Sequence, residues 1–298
     1  MSAGIRTVGV LGCGLMGSGI AQTAAAAGYR TIVRDTADEQ LARGRAAIER
    51  SLMKLVEKGT ATAADRDAAL GRLAFTTDLV AVSGADIVIE AVTEDLDLKN
   101  GLWRELDGRC PAATIFASNT SSLTIGSMAA ATRRADRFVG LHFFNPVPLM
   151  PLVEVVRGQA TSEATFDRAL TFARSLGKKP VASSDTSGFL VNRLLVPFLL
   201  DAVRALESGT GSVEDLDTAM RLGCGHPMGP FTLLDFVGLD TVVRIAEIMF
   251  DEYREPRFAP PPLLRRMVTA GLHGRKNGRG FYDYSVSPPA PMQVRREK

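Results

Sequence analysis

Among the 298 residues of this chain are three histidines, and one of them, His142, closes a strand-like apolar run, Phe138-Val139-Gly140-Leu141. Near neutral pH an imidazole is the side chain best suited to take a proton from a hydroxyl. Beyond it Asn145-Pro146-Val147-Pro148 interrupts the strand pattern and Leu152-Val153-Glu154-Val155-Val156 resumes it. If the second run folds back beside the first, Glu154 lies next to His142, where its carboxylate holds the ring and stabilises the imidazolium. The alternative is a capping histidine and a solvent-facing glutamate on an edge strand, and spacing alone leaves both open.

A second constellation stands at the start of the chain. Gly12-Cys13-Gly14-Leu15-Met16-Gly17 follows the apolar run Val8-Gly9-Val10-Leu11, and Asp35 closes the next run eighteen residues beyond Gly17. This is a dinucleotide fingerprint in its strand–turn–helix context. Gly12 serves the tight turn, Gly14 the close approach of backbone to a pyrophosphate, and Gly17 the packing of helix on strand. Leu15 and Met16 open the helix whose free N–H groups receive the negative charge. Asp35 is placed to accept from the adenosine ribose hydroxyls, which favours NAD over NADP. Arg34 beside it opposes that preference, because a guanidinium pairs well with a phosphate.

Such groups need elements to position them. Strand-like runs at Arg6–Leu11, Arg30–Val33, Ile87–Ala91, Thr114–Ala117 and Phe138–His142 alternate with helical patterns, which reads as an α/β chain with a doubly wound parallel sheet. In such a sheet the ligand lies beyond the carboxyl ends of the strands. Three polar clusters follow strand ends: Thr93-Glu94-Asp95, Ser118-Asn119-Thr120-Ser121-Ser122 and His142-Phe143-Phe144-Asn145. All three are expected to open into one crevice, although Ser118, Asn119, Ser121 and Ser122 are equally suited to cap and turn roles for a helix near Leu123. Ala37–Lys58 and Ala63–Leu70 read as a helical hairpin longer than an ordinary crossover.

The polar break Ser183–Gly188 divides the chain into expected domains 1–185 and 186–298. The second reads as all-helical, with helices at Phe189–Ser208, Ser212–Arg221, Leu239–Tyr253 and Pro262–Ala270. The first of these is apolar nearly all round, the pattern of a buried helix or one packed on a second subunit, with Pro197 inside it. Asn192 is an amide in that apolar setting; it either bonds to neighbouring backbone or faces the crevice. Ser285–Lys298 reads as a loose tail.

Composition narrows the function. Hydrophobic residues at 46% and charged residues at 23% describe a folded globular chain. The net charge is only +2 and basic residues occur as scattered pairs, so nucleic acid is not an expected partner. Three cysteines without metal-ligand spacing point to a reducing compartment and no metal site. No segment has signal-peptide or membrane-span character, so the expected location is the cytoplasm.

Six segments occur in order: Gly12–Gly17, Ala117–Leu123, Gly140–Pro148, Gly188–Arg193, His226–Pro230 and Gly278–Tyr282. With them the chain resembles the L-3-hydroxyacyl-CoA dehydrogenase family, including bacterial 3-hydroxybutyryl-CoA dehydrogenases, from about Ile5 to Tyr284. The resemblance implies a Rossmann-type NAD domain, a helical C-terminal domain that forms a homodimer, NAD as cofactor, and a 3-hydroxyacyl-CoA/3-ketoacyl-CoA substrate pair. It implies that His142 is the catalytic histidine, Glu154 its acidic partner, and Ser121 and Asn192 the substrate-contacting pair. Glu94, Lys99, Asn119, Asn145 and Lys276 join the glycine turn and Asp35 as cofactor positions, and Ser51 and Lys58 fall on coenzyme A positions. Ser187 departs from the proline of many members, which is expected to loosen the turn before Gly188; Pro151 stands where some have lysine. The competing expectations are a dehydrogenase of a free hydroxy acid, of L-gulonate or carnitine type, and a non-catalytic NAD-binding protein.

Overall fold

Strand β1 (Thr7–Leu11) is buried along all but its first residue, as a strand covered on both faces must be. With it run β2 (Arg30–Arg34), β3 (Leu73–Thr76), β4 (Ile87–Glu90), β5 (Ile115–Ser118), β6 (Phe138–Phe143), β7 (Leu152–Arg157) and β8 (Lys179–Ser184). The computed structural model, which describes residues 4–292, joins them in one sheet of order β3-β2-β1-β4-β5-β6-β7-β8. Every pairing is parallel except β6 with β7. The chain steps outward from β1 to β3 and returns to β4, so the switch point lies between β1 and β4. That is where a doubly wound sheet opens a crevice.

Helices α1 (Leu15–Ala26), α2 (Asp38–Glu57), α3 (Ala63–Gly71), α4 (Leu96–Asp107), α5 (Ile125–Ala129) and α6 (Glu163–Ser175) connect these strands. Helix α2 buries Leu41, Gly44, Ile48 and Leu52, one stripe at three- and four-residue spacing. Thr62 starts α3 with a capping box: it accepts from the Asp65 N–H, and the Asp65 carboxylate accepts from the Thr62 N–H. The hairpin expected from the sequence delivers the chain to β3, an edge strand that the apolar pattern does not disclose.

Strand β8 is the other edge, and its residues Ser183 and Ser184 belong to the sheet rather than to a linker. Asp185 then accepts from the Ile125 and Gly126 N–H groups at 2.6 and 2.7 Å, capping α5. Ser187 is buried and its hydroxyl donates to the Ser122 carbonyl at 3.3 Å. The turn therefore gains a tie at this position, contrary to the loosening expected where a proline is replaced.

The chain divides into two compact units, 1–189 and 190–298. The second contains α7 (Val191–Glu207), α8 (Val213–Cys224), α9 (Pro230–Val237), α10 (Leu239–Tyr253) and α11 (Pro262–Thr269). Beside the helices it has one element that a helical reading omits, a ribbon of Tyr282–Asp283 with Ala290–Pro291. Part of the expected loose tail is thereby anchored, and the Met292 N–H donates to the Phe281 carbonyl; residues 293–298 lie outside the described residues. Helix α7 buries one face, Val196, Leu199, Leu200, Val203 and Leu206, rather than its whole circumference, and leaves Leu194 75% exposed. Among the described residues no helix is long and apolar enough to cross a membrane.

Two buried aspartates organise this unit. Asp217 accepts from the Phe231 and Thr232 N–H groups at the start of α9 and from the Tyr282 hydroxyl. Asp235 is fully buried and accepts from the Phe281 and Tyr282 N–H groups, both at 2.9 Å, and from the Tyr284 hydroxyl at 3.1 Å. A side chain at Gly280 would collide with Asp235, and one at Gly229 with Asp217. The segments Gly278–Tyr282 and His226–Pro230 thus close around carboxylates of the core.

Candidate active site

The glycine turn meets the requirements read from its sequence for two distinct reasons. Gly12 has φ +93°, and a side chain there would strike the Ala91 carbonyl; one at Gly17 would strike the carbonyl of Gly12. These glycines are demanded by the protein's own packing. At Gly14 an added Cβ would meet no protein atom within 4 Å, so the space it leaves is open to a ligand. That space lies at the N-terminus of α1, where the first N–H groups, from Leu15 and Met16 on, have no intrahelical acceptor. The residues present therefore fit a dinucleotide pyrophosphate.

Around the turn is a cleft of about 430 Å³, lined by Gly12, Gly14, Arg34, Asp35, Thr36 and Gln40 on one side and by Ala91, Val92, Thr93, Leu98 and Leu102 on the other. The Asp35 carboxylate accepts from the Cys13 N–H at 2.6 Å and from the Thr36 N–H at 2.7 Å. Two backbone donors fix its orientation; Oδ1 also accepts from the Thr36 hydroxyl at 3.3 Å, and Oδ2 retains capacity for a further donor. The Arg34 side chain is tethered instead, its Nε donating to the Thr77 carbonyl at 3.2 Å. Cys13 is buried, and burial followed by the Asp35 charge pushes its thiol up to about 11. A thiol so protonated is a packing group rather than a nucleophile.

Next to this cleft lies a buried ionic cluster. The Lys99 ammonium, 1% exposed, pairs with Glu90 at 2.9 Å and with Glu94 at 2.7 Å. Glu94 also accepts from the Thr120 hydroxyl, from the Ser122 hydroxyl at 2.9 Å and from the Ser121 N–H at 3.2 Å. Burial pushes the Glu94 carboxyl up, but the Lys99 charge and these hydrogen bonds outweigh it and hold the group below the usual carboxylate range. Glu90 is held above that range by its burial, which Lys99 and Ser118 offset only in part. Glu94 and Lys99, expected as separate cofactor positions, are thus partners of each other. Glu90 was not legible as a member, because a glutamate ending an apolar strand gives no sign of which way it points.

Strands β6 and β7 bring His142 and Glu154 together. Their antiparallel register sets His142 directly opposite Glu154, and Nδ1 lies 2.6 Å from the Glu154 carboxylate. A carboxylate can only accept, so Nδ1 carries the proton and Nε2 is left to take one. Glu154 is fully buried and β7 lies inside the sheet between β6 and β8, so the solvent-facing edge alternative does not describe it. Phe144 and Phe189 flank the imidazole with ring centroids 4.6 and 5.6 Å away. The side-chain carbonyl of Asn119 accepts from the Phe143 N–H at 2.9 Å, tying the end of β5 to the strand end that carries His142.

The remaining positions fall as follows. Ser121 is half-buried in the loop after β5, and Asn145 is exposed just beyond β6. Ser51 lies on α2 and Lys58 is its C-cap, two turns on and so along the same side of the helix. Asn192 belongs to the second unit, half-buried in the first turn of α7 rather than deep in an apolar helix. Lys276, also in the second unit, forms an ion pair with Asp240.

Residues 7–186 match the family described as 3-hydroxyacyl-CoA dehydrogenase, NAD binding domain, and residues 188–284 match its C-terminal domain. The chain is 52% identical over 287 residues to a Mycobacterium tuberculosis 3-hydroxybutyryl-CoA dehydrogenase, covering 95% of this chain and 100% of that one. It is 48% identical to the human mitochondrial hydroxyacyl-coenzyme A dehydrogenase, covering 94% of this chain and 91% of the relative. The crystal structure of (S)-3-hydroxybutyryl-CoA dehydrogenase from Ralstonia eutropha superposes with a TM-score of 0.91 at 45% identity, over 95% of this chain and 100% of the other. The chain belongs to the 3-hydroxyacyl-CoA dehydrogenase family of NAD-dependent oxidoreductases.

Proposed function

We propose that this chain reversibly oxidises a short L-3-hydroxyacyl-CoA, of 3-hydroxybutyryl size, to the 3-ketoacyl-CoA. The observation that carries the reading is the buried His142–Glu154 pair, held at the same carboxyl end of the parallel strands as a dinucleotide cleft. Bound NAD supplies the two-electron acceptor for the hydrogen leaving C3. His142 Nε2 takes the hydroxyl proton, and the desolvated Glu154 carboxylate at Nδ1 stabilises the imidazolium that forms. In reduction the same nitrogen returns the proton to the carbonyl oxygen. The turn Gly12–Gly17 and Asp35 hold the cofactor, with Glu94, Asn119, Asn145 and Lys276 as further contacts. Lys99 acts through Glu94, since its ammonium is directed at the two carboxylates. Ser121 and Asn192 contact the substrate, and Ser51 and Lys58 the coenzyme A carrier.

Initial rates with NADH across acetoacetyl-CoA, longer 3-ketoacyl-CoAs and acetoacetate test the substrate class. Binding energy from the carrier orients the reacting carbon, so kcat/KM for acetoacetyl-CoA exceeds that for acetoacetate by about 100-fold or more. Equal values would sink the thioester reading in favour of a free hydroxy acid.

The dinucleotide preference is tested on the same assay. The Asp35 carboxylate, fixed by the Cys13 and Thr36 N–H groups, repels a 2′-phosphate, while Arg34 is engaged with Thr77. NADH therefore gives the higher kcat/KM, by about tenfold or more. Comparable values with NADPH would show that Arg34 overrides Asp35. Leu194 and Leu222, 75% and 76% exposed in the helical unit, support a homodimer formed through that unit, since large apolar side chains left in water favour association. Working location in the cytoplasm is the accompanying reading.

A further inference from the structure

Glu90 is a costly residue for its place. It ends β4 with no exposed surface, and a buried carboxylate is stabilising only where its partners are fully arranged. Here they are. One oxygen accepts from the Val92 N–H at 2.8 Å and from Lys99 at 2.9 Å; the other accepts from the Ser118 hydroxyl at 2.6 Å and from Lys99 at 3.1 Å. Val92 is on the rim of the dinucleotide cleft, and Ser118 is the β5 residue in register with Glu90. The Lys99 ammonium reaches onward to Glu94, whose other oxygen gathers Thr120, Ser121 and Ser122. Two carboxylates bridged by one ammonium thus tie the loop after β4, helix α4, the end of β5 and the loop after it to one another.

We propose that Glu90 is a positioning residue for dinucleotide binding: it aims the Lys99 ammonium at Glu94 and so sets both crevice loops before the cofactor arrives. The proposal rests on the dinucleotide reading above. With a neutral amide at position 90 the ammonium loses one of its two counter-charges and finds an NH₂ group in place of one of its two Glu90 acceptor oxygens. Glu94 then loses its fixed partner, and the 91–95 and 118–122 loops are free to separate.

The test is NADH titration followed by fluorescence, without acyl-CoA, on the full chain, its Glu90→Gln variant and its Ser118→Ala variant, with steady-state KM values alongside. The expected result for Glu90→Gln is an NADH Kd and KM raised about tenfold, with a smaller rise in the KM for acetoacetyl-CoA, to which the 118–122 loop contributes Ser121 alone. Ser118→Ala, which keeps the ion pair, shifts the NADH Kd in the same direction by about threefold. Wild-type NADH affinity in Glu90→Gln, or an equal rise in both KM values, would overturn the positioning role. If Glu90→Gln does not fold, Ser118→Ala decides, and an unchanged NADH Kd there overturns the proposal. Failure of the wild-type chain to bind NADH would instead remove the dinucleotide reading itself.

Discussion

Replacing His142 by glutamine lowers kcat by about 10²–10⁴-fold, the usual worth of a positioned acid–base group, while NADH affinity stays near that of wild type. Glutamine keeps much of the ring's volume at a 5% exposed site but cannot take the hydroxyl proton. Glu154→Gln is the informative companion. Its amide retains a carbonyl that can accept from Nδ1, but the negative charge that balances the imidazolium is gone, so kcat falls by about 10²-fold. Steady-state rates with acetoacetyl-CoA, paired with an NADH titration, check both variants. A His142→Gln enzyme turning over at wild-type speed would remove His142 from the chemistry.

The second large effect concerns stability. Asp235→Ala leaves the Phe281 and Tyr282 N–H groups and the Tyr284 hydroxyl without the acceptor they now share in a fully buried position. Unmet buried donors cost about 1–3 kcal/mol each, so a loss of about 3–5 kcal/mol is expected. That corresponds to a fall in melting temperature on the order of 10 °C. Gly280→Ala attacks the same contact from the other side, because its methyl group would collide with the Asp235 carboxylate. Calorimetric melting of the two variants checks this, and an Asp235→Ala chain melting within about 1 kcal/mol of wild type would show that water replaces the aspartate.

These two effects lie in parts of the molecule that differ in how far they could be read in advance. The dinucleotide turn is a local device: glycine spacing, the preceding apolar strand and the acid at the end of β2 are close in sequence, and the needs of one backbone turn dictate them. Inner strands show themselves because burial on both faces demands unbroken apolar runs, as in β1 and β4. The edge strands β3 and β8 escape that demand. One side of each is unpaired, so a strand can hold Pro180 and end in Ser183 and Ser184, which read as part of a polar break.

By its sequence alone the chain declares a family, a dinucleotide turn, an inner parallel sheet and the residue types for proton transfer. Only the tertiary structure decides that β7 returns antiparallel with His142 opposite Glu154, since a shift of one residue would turn the glutamate to the other face of the sheet. It also decides that Glu90 joins Lys99 and Glu94, and that Asp217 and Asp235 close the second unit around its glycine motifs. Apolar periodicity records how much of a residue is buried. The partner of a buried charge comes from another strand or helix, and the packing of those elements alone selects it.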